Sequence, residues 1–126
     1  MTGPRSGALP PGWPAEVPPP GTPEWERRAV TWLYDACPPD YRAYDVLRRH
    51  PAVLARCAAW HVAAAREATR HGIANARVEL REVVGVETVD AAVAALEREQ
   101  ARLAALARAV DVVERALRGE RWTPRL

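Results

Sequence analysis

Residues 87–118 read ETVDAAVAALEREQARLAALARAVDVVERALR, and this stretch decides the fold class. Val89, Leu96, Leu103, Val110 and Leu117 stand a heptad apart, and Ala92, Leu106 and Val113 fill the intermediate positions, so one apolar seam follows an uninterrupted helix. Glu87 and Asp90 lie in the positively polarised first turn, and Gly119 follows Arg118 where a left-handed residue closes a helix. Asp111 with Arg115, and Glu114 with Arg118, form i,i+4 pairs that this reading places on the solvated side.

A long helix with one seam needs a second helix against it. The alanine-rich segment from Pro51 to about Val84 supplies one, with proline at the first helical position and Gly72 as its weakest former. Only Val84-Gly85-Val86 separates the two, so helices at about 51–84 and 87–118 are expected to run antiparallel as a coiled-coil-like hairpin. A turn centred on Gly85 sets His61 opposite Val110 and Gly72 opposite Glu99.

Upstream, Thr22-Pro23-Glu24 offers a capping hydroxyl, a proline and a first-turn acid, and Trp25, Ala29, Trp32, Leu33 and Ala36 recur at helical spacing until Pro38-Pro39. The expectation is a short helix at 23–36 packed at the hairpin's open end, then a connector with a helical turn at 44–50. Trp25, Trp32, Trp60 and Trp122 are expected to gather there as the main core. Residues 1–21 hold Pro10-Pro11, Pro18-Pro19-Pro20, Pro4 and Pro14 among glycines, a density that forbids helix and predicts a disordered or polyproline arm. Trp13 and Val17 are its only sizeable apolar anchors, able to strap the hairpin or to lie in a partner's aromatic groove. The fold class is therefore all-α, with a Pro-rich arm at 1–21 and one helical domain at 22–126.

The length of 126 residues excludes a two-domain enzyme or a large barrel. All 18 basic residues are arginine, set against 16 acids, so the net charge is only +2 and gives no long-range field for nucleic acid or an anionic membrane. The absence of lysine and phenylalanine fits a GC-rich bacterial genome, which weakens any single arginine as a sign of phosphate recognition. No signal or membrane-spanning pattern is evident, so a soluble cytoplasmic protein with reduced Cys37 and Cys57 is expected.

Few residues suggest chemistry. Cys57 and His61 are i,i+4 on one helix and could share a metal with Cys37 and His50, or act as nucleophile and base. No C-x-x-C, third catalytic group or oxyanion donor supports either, and a buried thiol beside a packed imidazole is the simpler reading, so no metal or other cofactor is expected. Glu99 sits at a d position facing His71 and Gly72, a pairing that would respond to pH unless Glu99 turns to Arg102 instead. Arg48-Arg49-His50 precedes a helix N-terminus at Pro51, a place for an anion, although Asp40 and Asp45 offset the charge.

The expectation for function is thus a non-catalytic interaction or adaptor protein acting through the hairpin surface. The alternative is a small DNA-associated or regulatory protein using Arg48, Arg49 and Arg56. Near the turn, Ile73, Val78, Leu80, Val83, Val89 and Val93 should be left half exposed, which favours a homo-oligomer, most simply a dimer. With Trp13, Arg48 and Arg49, these valines are the candidate interaction residues.

Overall fold

The computed structural model of the chain describes residues 9–122. Residues 1–8, which belong to the expected arm, and residues 123–126 lie outside the described residues. Every element described is helical. Helix α1 spans Trp25–Asp35, a 3-10 turn covers Pro39–Ala43, α2 spans Asp45–Arg49, α3 spans Pro51–Glu79 and α4 spans Val86–Leu117. The two long helices pack along each other, and α1 and α2 lie against α3. Among the described residues, no helix is long and apolar enough to cross a membrane.

The helix ends show why the boundaries fall where they do. Gly119 takes φ +87, its N–H donates to the Ala116 carbonyl and that of Glu120 to the Arg115 carbonyl, so the left-handed glycine closes α4 as its position in the sequence implies. At the start of α1 the hydroxyl of Thr22 donates instead to the Pro19 carbonyl at 2.6 Å, and Glu24 stands at the cap with φ 71. Helix α1 therefore begins at Trp25, just beyond the Thr22-Pro23 signal.

At the tip, α3 stops at Glu79 rather than near Val84, because the N–H groups of Val83 and Val84 both turn back onto the Leu80 carbonyl. Gly85 is extended at φ −72 and caps α4, so it ends the connection instead of centring it. The facing register moves accordingly. A Cβ at Gly72 would lie 3.2 Å from Leu96 Cδ1, so Gly72 faces Leu96 and not Glu99.

The main core sits at the open end, where Leu33, Leu54, Val62, Val110 and Val113 are fully buried around Ala29, Ala55 and Ala58. These alanines let α1 and α4 approach α3 closely. A smaller cluster of Ala76, Val89 and Val93, with Leu80 partly buried, holds the hairpin near its tip. The expected tryptophan core does not form. Trp60 is 63% exposed and Trp122 41%, while Trp25 and Trp32 only flank the core. The cause is helix phase: Leu54, Ala58 and Val62 define the buried line of α3, and Trp60 lies between two of them, about half a turn away.

The described part of the arm, residues 9–21, takes the strap arrangement in place of disorder and is folded onto the helices. Successive turns close through Trp13 N–H to Pro10, Val17 N–H to Pro14 and Thr22 N–H to Pro19. Trp13 Nε1 donates to the Val17 carbonyl at 2.8 Å, its ring lies 6.2 Å from that of Trp25, and Val17 is buried in the main core. Gly12, at φ +89, lies against the Cβ of Arg108 on α4. Proline makes such a strap inexpensive to order, because its fixed φ leaves the unfolded segment less freedom to lose.

Candidate functional site

The face of α3 turned away from α4 carries Val53, Trp60, Ala64, His71 and Val78, all exposed and all within one stripe at seven- or four-residue spacing. The opposite face, with Leu54, Ala58, Val62, Thr69 and Ala76, is buried. Val53, Trp60 and Val78 are 44%, 63% and 64% exposed, so this helix presents apolar surface on both sides.

Trp60 is held in place. The guanidinium of Arg56 lies over its ring, 5.8 Å from the centroid, and Arg56 Nη2 donates to Glu114 Oε1 at 2.8 Å. Arg118 Nη2 donates to the second oxygen, Oε2, at 2.9 Å. Glu114, expected on the solvated side, is instead only 4% exposed, because it follows Val110 and Val113 on the arc of α4 that meets α3. Two guanidinium groups compensate its burial and fix the cation over the tryptophan.

The basic residues of the connector are otherwise engaged. Asp45 accepts from Arg48 at 2.6 Å and from Arg49 at 2.8 Å, Arg48 also reaches the Arg42 carbonyl, and Arg42 pairs with Asp35. Arg56 is engaged in turn by Glu114 on α4. Trp13 is partly buried against Trp25 and closes the strap.

At the tip, Val78 and Val83 are exposed, as their positions implied, and Val84 and Val86 join them. Val89 and Val93 differ: at 4% and 8% exposure they are buried against Ala76, since the shorter α3 turns the first turns of α4 inward. Tyr44 and Val46, at the start of α2, complete the exposed apolar set near Val53 in the chain.

The thiol and imidazole groups do not assemble into a reactive centre. Burial pushes the Cys37 thiol up to about 11, with the nearby Cys57 adding to the rise and Arg42 opposing it, so it keeps its proton at neutral pH. Cys57 packs partly against the same core. His61 stacks obliquely 6.5 Å from Tyr41, and His50 is exposed at the start of α3. Among the described residues, no group of three or more His, Cys, Asp or Glu is placed to hold a metal. Glu99 turns to Arg102, accepting from it at 2.8 and 2.6 Å as the alternative to His71 had it, and this bond holds its carboxyl below the usual range.

Cavities of about 390 and 260 Å³ adjoin where α1 meets α4, both lined by Asp35, Ala36, Arg102 and Leu106, and the second reaches α3 at His61, Val62 and Ala65. Most of their charged lining is engaged within the chain, since Arg28 donates to the Glu16 carbonyl, Asp35 accepts from Arg42 and Arg102 holds Glu99, while Cys37 and His61 also line the second cavity. No family model matches this chain, and neither a curated protein nor a solved structure is similar to it.

Proposed function

We propose that this chain is a non-catalytic protein-interaction protein whose binding surface is the outward face of α3. The observation that carries the reading is Trp60, 63% exposed yet fixed under Arg56, which is itself tied to a buried carboxylate on another helix. Tryptophan beside arginine is the pairing richest in binding energy at protein interfaces, and a ring already held in one position loses less freedom on binding. The largely engaged charged lining of the cavities and the protonated Cys37 favour binding over catalysis. Two free cysteines suit the reducing cytoplasm as its place of action, and the exposed valines at the tip make self-association part of the reading.

The test is affinity capture on the immobilised full chain, with nuclease, compared with Trp60→Ser. Retention of a protein by the native chain, second copies of itself included, and its loss in a variant of unchanged helicity supports the proposal. Equal retention by both overturns Trp60 as the anchor. Should only nucleic acid be retained, with a steep loss in salt and dependence on Arg48 and Arg49, the DNA-associated reading replaces it.

A further inference from the structure

Apart from Trp122, the large exposed apolar side chains among the described residues fall into two groups, one at each end of α3. Tyr44, Val46, Val53 and Trp60 form a shoulder, and Val78, Val83, Val84 and Val86 surround the tip. Val53 and Val78 lie close to opposite ends of α3, roughly 38 Å apart at 1.5 Å per residue. Ala64 is exposed near its middle, with the exposed Ala63 and Ala68 on either side.

The charges divide the same way. With the groups that pair with it, the shoulder carries Arg42, Arg48, Arg49, Arg56 and Arg118 against Asp35, Asp40, Asp45 and Glu114, and so stays positive by a single charge. Residues 77–90 carry Glu79, Glu82, Glu87 and Asp90 against Arg77 and Arg81, a net negative tip. Both patterns change character between the two ends of one helix, which is the property a surface needs to match itself after a half-turn rotation. A foreign helix would have to reproduce this gradient; a second copy already has it.

Resting on the interaction reading above, we propose that the outward face of α3 is a two-fold interface with a second copy of this chain. The two α3 helices cross antiparallel near Ala64, and the shoulder of each copy covers the tip of the other. Val53 then meets Val78 of the second copy, and Trp60 meets its His71. The small side chains of Ala63, Ala64 and Ala68 at the crossing let the helix axes approach, and each positive shoulder lies beside a negative tip. A parallel pair would set like charges together and leave each apolar group facing its own counterpart.

The experiment combines sedimentation with directed cross-linking on the full chain. The native protein is expected to sediment as a dimer. Trp60→Ser should weaken association at least about tenfold, and Ala64→Arg, which places two cations near the axis, should yield a monomer of native helicity. In a Cys37→Ala/Cys57→Ala background, separately prepared Val53→Cys and Val78→Cys chains are mixed and oxidised. Antiparallel docking gives a mixed 53-to-78 disulfide; like-linked 53-to-53 and 78-to-78 products overturn the antiparallel arrangement. A native chain that stays monomeric and yields no mixed product overturns the self-pairing. Capture of another protein that still depends on Trp60 would then leave the interaction reading standing with a different occupant, whereas Trp60-independent behaviour throughout would remove both.

Discussion

The two halves of the hairpin are built from the same alanine-rich helices but are stabilised very differently. At the open end, α1, the arm and both long helices enclose Leu33, Leu54, Val110 and Val113, and an ion pair joins the half-exposed Arg56 to the buried Glu114. Toward the tip only Ala76, Val89 and Val93 are buried, and the cross-helix pair is the exposed Arg77 with Asp90. Two helices alone cannot cover each other's flanks, so the tip exposes Val78, Val83, Val84 and Val86 over a small core, whereas the open end exposes Tyr44, Val46, Val53 and Trp60 outside a full one. Stability is concentrated at one end, and unpartnered surface extends to the other.

The largest test of this contrast sets Leu54→Ala against Val93→Ala in urea denaturation at matched protein concentration. Leu54 is fully buried where α1 meets the hairpin, and its truncation should cost about 3 kcal/mol by lost transfer energy and a cavity. Val93 borders solvent in a small cluster and should cost about 1 kcal/mol. Equal costs would mean that the tip is as firmly packed as the open end. Next comes the strap: Trp13→Ala should cost about 2 kcal/mol, because the half-buried ring secures Val17 over the core, and hydrogen exchange near the tip should not change. Faster exchange throughout α4 would show that the halves do not open separately.

A smaller effect is expected at the clamp. Glu114→Gln leaves Arg56 and Arg118 without their carboxylate, and since both cations are about half exposed the cost should be about 1 kcal/mol, with a change in Trp60 fluorescence as the guanidinium is released. An unaltered spectrum would break the link between the covered core and the outward tryptophan. The smallest change, Gly72→Ala, should raise stability by about 0.5 kcal/mol. Helix propensity favours alanine, and the new methyl meets only the end of the flexible, half-buried Leu96 side chain. A loss instead would show that the distal seam is tighter than its exposure implies.

The seam of α4 was legible because a heptad pattern needs no knowledge of anything outside its own helix, and Gly119 closes it as local chemistry dictates. The arm was left open between disorder and a strap for a related reason. Proline density excludes helix, yet it says nothing against turns, and Trp13 with Val17 had the spacing to close one and fill the core. Register failed at Gly85, whose composition marks the break but not the carbonyl of Leu80 around which the chain winds. Of the proposed surface, the exposure of Val78 and Val83 was legible in the sequence, whereas Arg56 stood out only as part of a basic end. Trp60 was assigned to the core on residue type, although its phase relative to Leu54, Ala58 and Val62 already turned it outward. Glu114 was taken as solvated because acids usually are, despite its place after Val110.

The short tip connection at residues 80–85 also governs the order in which the chain can fold. It brings α3 and α4 together at almost no loop-closure cost, but the first contacts it makes, around Ala76 and Val89, are the weakest in the hairpin. The strong ones lie at the far end, where Arg56 and Glu114 are separated by 58 residues of chain. Zipping outward from the connection would run from a weak start toward a strong finish, an order that predicts a rate-limiting barrier near the native structure. The proline strap, docking on a surface that exists only once the zipper has closed, completes the fold rather than starting it.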